Sequence, residues 1–197
     1  MRGWDGMELF FIRHGEGEHT LNLPSSLHKR NPPLTKKGMD QAKKLKDRFP
    51  LSTQDIVFIS PLVRTMQTAM LWADGVDCRK IVTPYVSPRM FPLLSNKQTL
   101  PCDVMMEKEN ILHAFPSFEL DDNPPVALWK EGFNTATERD FTRYAEEFLA
   151  NCSRLKKEKI YIVSHDGTIT SYRQLITGRQ LSRDDFPKET GWFRINC

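Results

Sequence analysis

Three short apolar runs in this chain end on the same kind of chemistry, and no other feature restricts the fold as much. Leu9-Phe10-Phe11-Ile12 stops at Arg13-His14-Gly15, "DIVFIS" (55–60) runs into Pro61 with Arg64 close behind, and "KIYIVS" (159–164) stops at His165-Asp166-Gly167. Short runs of β-branched and aromatic residues bounded by Gly or Pro read as buried strands. Each is followed by a segment with helical spacing. Strand alternating with helix predicts an α/β fold, a three-layer α/β/α sandwich around a largely parallel sheet. Ligands of such sheets bind beyond the carboxyl ends of the strands. The three strand ends therefore bring two arginines, two histidines and a helix start to one edge.

The remaining elements follow from the same patterns. Residues 8–12 form the first strand. Thr35 caps a helix with apolar positions Leu34, Met39, Ala42, Leu45 and Phe49. Ser60-Pro61 reads as the N-cap and first residue of a helix whose Leu62, Met66, Ala69 and Ala73 share a face. A third strand is expected at 80–83, helical residues at 104–115, and an amphipathic helix at 137–151 striped by Phe141, Tyr144, Ala145, Phe148 and Leu149. Gly178 ends a last helix, and "GWFRIN" closes the chain as a strand. Composition makes 21–33 a loop. The four prolines of 84–103 predict an irregular excursion over the surface, the start of a substrate-side insertion at about 84–125. The order of the strands is not readable from this pattern.

Composition narrows the function. A chain of 197 residues is expected to be one domain with a substantial core. Its net charge of +3 suits a small anion and falls short of a nucleic-acid-binding balance. No apolar run reaches membrane length, and "MRGWDGMELFF" lacks the pattern of a secretory leader, so a cytoplasmic protein is expected. Cys78, Cys102, Cys152 and Cys197 lie far apart with no C-x-x-C pair, which reads as reduced thiols. There is no P-loop signature and no H-x-H or H-x-x-x-H spacing, and two arginines beside the histidines would repel a cation. Neither a metal nor another cofactor is expected. Oligomeric state is not encoded in the pattern.

What gathers at the sheet edge is an anion site. Guanidinium forks match phosphate oxygens, and helix N-termini favour negative charge. An imidazole there can also attack phosphorus and carry the phosphoryl group, while the cations stabilise the transferring oxygens.

The four stretches "IRHGEGEHT", "NPPLTKKGMDQAKKL", "ISPLVRTMQTA" and "IVSHDGTI" resemble, in order and spacing, the histidine phosphatase superfamily, which includes cofactor-dependent phosphoglycerate mutase. The resemblance implies a phosphoglycerate mutase-like fold over almost the whole chain. It makes His14 the phosphorylated nucleophile, Arg13 and Arg64 the phosphate clamps, and His165 a second imidazole beside the transferring group.

The resemblance is incomplete in two places. The first branch of the family carries a glutamate acid soon after the third strand, but no Asp or Glu lies between Asp77 and Asp103 here. Asp166 copies the His-Asp dipeptide of the second branch and is the preferred acid, with Asp103 the alternative. Thr20 stands where many members have asparagine, and its hydroxyl is expected to reach a phosphate oxygen. Arg89 is either a substrate-side cation or a solvated surface residue. His19, His28 and His113 read as surface or loop residues. The expected function is metal-independent hydrolysis of a small phosphomonoester through phosphohistidine. A mutase and a non-catalytic phosphate-binding module are the alternatives.

Overall fold

The computed structural model describes residues 7–95 and 98–196; the first six residues of the leader comparison and Cys197 lie outside them. In chain order the elements are β1 (Glu8–Arg13), α1 (Lys36–Arg48), β2 (Ile56–Ile59), α2 (Val63–Trp72), β3 (Arg79–Val82) and α3 (Lys108–Ala114). They continue with β4 (Glu119–Leu120), α4 (Val126–Glu131), α5 (Glu138–Arg154), β5 (Lys159–Ser164), α6 (Asp166–Thr177) and β6 (Trp192–Asn196).

The six strands form one sheet in the order β4-β3-β2-β5-β1-β6. Every neighbouring pair is parallel except β1–β6. Side chains alternate across a strand with period two, and the sheet is buried on both faces. Leu9, Phe11, Phe58, Ile160 and Ile162 pack with Phe141, Ala145, Phe148 and Leu149 of α5 and with Ile169 and Tyr172 of α6. Phe10, Ile12, Val57, Ile59, Tyr161 and Val163 pack on the other face with Leu45 of α1, Met66, Ala69 and Trp72 of α2, and Ile111 of α3. Each fully buried side chain of this size contributes roughly 1.5–3 kcal/mol. The expected three layers are therefore present.

The strand order sets the site. β5 lies between β1 and β2, with Arg13 opposite Ser164 and Ile59 opposite Val163. The three strands end almost level, so His14, Ser60 and His165 leave the sheet side by side. The backbone continues the ladder there: His14 N–H donates to Ser164 O at 3.1 Å and Ser60 N–H to Val163 O at 3.0 Å. From the far edge, the segment before β6 reaches back over β1. Arg13 N–H donates to Gly191 O at 2.9 Å, and Thr190 N–H to His14 O at 3.2 Å.

Several expectations are corrected. Ser60 does not cap α2, which starts at Val63 with Leu62 as its cap. Met39 is exposed, although Leu34, Ala42, Leu45 and Phe49 are buried. The irregular stretch after β3 is not a surface excursion at its start, because Pro84 to Arg89 are buried. Four hydroxyls stitch this strap inward. Ser164 donates to Val86 O and Tyr172 to Tyr85 O, both at 2.8 Å, Thr168 to Ser87 O at 2.7 Å, and Tyr85 to Glu147 Oε1 at 2.6 Å. The short elements β4 and α4 had no periodic signal.

Candidate active site

His14 follows directly on β1 and is 2% exposed. Its Nδ1 lies 2.7 Å from Gly15 O. A carbonyl only accepts, so Nδ1 carries the proton and Nε2 keeps its lone pair. Arg64 Nε–H donates to that Nε2 at 3.3 Å. Burial, reinforced by Arg64, His19 and Arg13, holds His14 well below the usual imidazole pKa. The free protein thus presents a neutral imidazole with its lone pair toward a guanidinium.

Arg64, in the first turn of α2, is 1% exposed and links the whole centre. Besides His14, its NH2 group lies 3.2 Å from His165 Nδ1 and 2.8 Å from Asp103 Oδ1, and its NH1 group donates to Cys102 O at 2.7 Å. Since a guanidinium only donates, His165 accepts at Nδ1, and its Nε2–H donates to Ser60 Oγ at 2.8 Å. Burial and then Arg64 hold His165 in the neutral form as well. The rings of His14 and His165 are 5.1 Å apart between centroids.

Arg13 points its NH1 group at Pro187 O, 2.8 Å away, and its NH2 group at Asp166 Oδ2, 2.9 Å away. Its Nε is buried with no partner among the described residues. Asp166 opens α6, and its other oxygen accepts from Gly167 N–H at 2.7 Å. Both oxygens of Asp166 are therefore acceptors here, one of them holding Arg13. Asp103 has Oδ1 on Arg64 and keeps a quarter of its side chain exposed. Both carboxylates line a cleft of about 280 Å³ whose other walls include Met90, Phe91, Leu100 and Phe186.

The structure thus gathers His14, Arg64, His165 and Asp103 in one network, and ties Arg13 to Asp166 beside it. Two expected substrate-side residues differ. Thr20 donates its hydroxyl to Gly17 O at 2.9 Å, inside its own turn, and does not offer it to the pocket. Arg89 is not solvated: it lines the same cleft with its guanidinium already paired. It is 4% exposed, donates to Ala136 O at 2.8 Å, pairs with Glu138 at the start of α5 and lies over the Phe141 ring.

Three site residues escaped the sequence reading. Ser60 orients His165. Thr68 Oγ1 accepts from Gly15 N–H at 3.1 Å and donates to Arg64 O at 2.7 Å, locking the loop after His14 to α2. His19 is half-buried rather than a free surface residue: its ring centroid is 5.6 Å from that of His14, and burial with Arg64 and Arg13 pushes its pKa down to about 3. The spacing Arg64–Thr68, one helical turn, is the signal that would have found Thr68. Among the described residues, no group of three His, Cys, Asp or Glu side chains is placed to hold a metal ion.

Known proteins resemble this chain in sequence and in fold. The adenosylcobalamin/α-ribazole phosphatase of Salmonella typhimurium is 28% identical over 169 residues, covering 83% of this chain and 76% of that protein. The crystal structure of the α-ribazole phosphatase from Shigella flexneri superposes with a TM-score of 0.63 at 21% identity, over 95% of this chain and 89% of that one. A phosphoserine phosphatase mutant from Entamoeba histolytica, solved with phosphoserine, gives a TM-score of 0.59 at 22% identity over 95% and 89% of the two chains. The family model of the histidine phosphatase superfamily, branch 1, matches residues 9–190. From the first strand to the approach of the last, this chain belongs to that superfamily.

Proposed function

We propose that the chain hydrolyses a small phosphomonoester through a phosphohistidine on Nε2 of His14. The observation that carries this reading is the forced tautomer: Gly15 O fixes the proton on Nδ1, so the lone pair faces Arg64. Attack by Nε2 forms a P–N bond and breaks the bond to the leaving oxygen. Arg13 and Arg64 neutralise the phosphoryl oxygens in that step, and His165 stands beside them. Water then cleaves the P–N bond and releases phosphate. Small phosphorylated substrates are the class named for the relatives, and the cleft beside Asp103 and Asp166 suits a leaving group of modest size with apolar surface.

The proton for the leaving oxygen is assigned to Asp103 in preference to Asp166. Asp166 spends one oxygen on Arg13 and the other on Gly167 N–H. The match is also to branch 1, whereas the dipeptide argument for Asp166 rests on branch 2.

The commitment of both carboxylates to arginines favours one second reading, a phosphate-binding module without turnover. Assay with p-nitrophenyl phosphate separates the two. The enzyme reading expects turnover, loss of at least about a thousandfold in His14→Ala, and labelled phosphate trapped on His14. Tight phosphate binding without turnover supports the module and overturns the enzyme. Asp103→Asn should slow alkyl phosphates far more than aryl phosphates, which leave without protonation. Equal slowing of the two classes removes Asp103 as the donor.

A further inference from the structure

His19 is carried back toward β1 by the helical turn Glu18–Thr20, and four observations single it out. Its ring stands 5.6 Å from His14, whose other imidazole neighbour, His165, is at 5.1 Å. The nucleophile is therefore flanked by two rings. Second, His19 sits in a seat made by Gly17. A Cβ at Gly17 would lie 2.6 Å from His19 Nδ1 and 3.3 Å from Arg64 Cδ. The φ of −105° at Gly17 is open to any residue, so what a side chain there would meet is the His19 ring, which would have to shift to admit it. Third, His19 Nδ1 is buried with no hydrogen-bond partner among the described residues. A site built only for packing would be better filled by an apolar side chain, since an unpaired buried polar atom is costly. Fourth, the neighbouring Thr20 has turned its hydroxyl to Gly17 O, leaving His19 as the polar side chain this turn offers to the centre.

We propose that His19 is a phosphate-binding residue, a third imidazole that donates a hydrogen bond to the phosphoryl oxygens. The inference rests on the reading of this pocket as a phosphoryl site. A neutral imidazole offers one N–H, and an arriving dianion favours the doubly protonated ring, which offers two.

The test compares His19→Leu with His19→Gln in the full chain, by titration with orthovanadate and by the KM for p-nitrophenyl phosphate. Both variants remove the ring from Gly17, but only glutamine can donate. A hydrogen-bonding role predicts that His19→Leu weakens vanadate about tenfold or more while His19→Gln stays within about threefold, with KM following the same order. If the two variants behave alike, both unchanged or both equally weakened, the proposal is wrong. Should His19→Leu fail to fold, His19→Phe, which keeps a ring over Gly17, replaces it. Wild-type protein that binds no vanadate overturns the phosphoryl-site reading and this inference together. Normal wild-type binding with indifferent variants overturns the inference alone.

Discussion

Ser60 shows how a side chain with no catalytic look can decide what a histidine does. Its hydroxyl accepts the Nε2–H of His165 and so leaves Nδ1 as the atom that meets Arg64. Ser60→Ala leaves a buried N–H unpaired, and urea unfolding should show a loss of about 1–3 kcal/mol together with reduced turnover. Unchanged stability would mean that His165 takes another tautomer without cost. In sequence, Ser60 before Pro61 looked like a helix cap, because Ser-Pro is the usual signature of a helix start. The tertiary partner, 105 residues away, outcompeted the local one. His14, Arg13, Arg64 and His165 were legible because strand ends advertise them. His19 was not, because nothing in "GEHT" says that the turn folds its ring back over Gly17.

At the scale of elements, the loop after His14 depends on how closely α1 approaches it. Thr35 caps α1 by accepting from Gly38 N–H at 3.0 Å, and its hydroxyl donates to Glu16 Oε1 at 2.9 Å. A Cβ on Gly38 would collide with Glu16 O, and one on Gly15 with Gly38 O. Backbone therefore meets backbone where α1 begins. Gly38→Ala, a good helix substitution by propensity, should instead destabilise by about 1–3 kcal/mol and cut activity by moving residues 15–16, as a thermal melt and an aryl phosphate assay would show. A neutral or stabilising effect would mean the loop yields freely. The stripes of α1, α2 and α5 were readable from their spacing. The short α4 and β4 were not, since six and two residues carry no usable period. The strap after β3 looked exposed for its prolines, but hydroxyls from β5 and α6, distant in sequence, bury it.

Across the whole molecule, three neutral imidazoles around one guanidinium make stability depend on pH. Burial first, and Arg64 next, lower the pKa of His14, His19 and His165. The unfolded chain takes up protons at these positions below about pH 6.5, and the folded chain does not. Stability is therefore full above that value and falls with acidity, by up to about 1.4 kcal/mol per pH unit for each ring. The share of His19 stops growing near pH 3, where its folded form also titrates. Urea midpoints should drop between pH 7.5 and 5.0, and equal midpoints would show that the rings are charged in the folded state. The alternation of strand and helix announced the sheet, but its order depends on which crossovers pack best, which is a property of the assembled layers. One outcome of that order reaches beyond equilibrium. Residues 187–191 grip the backbone around His14 and the guanidinium of Arg13. A nascent chain whose first strand has long since left the ribosome therefore lacks a finished pocket until residue 191 has followed it out.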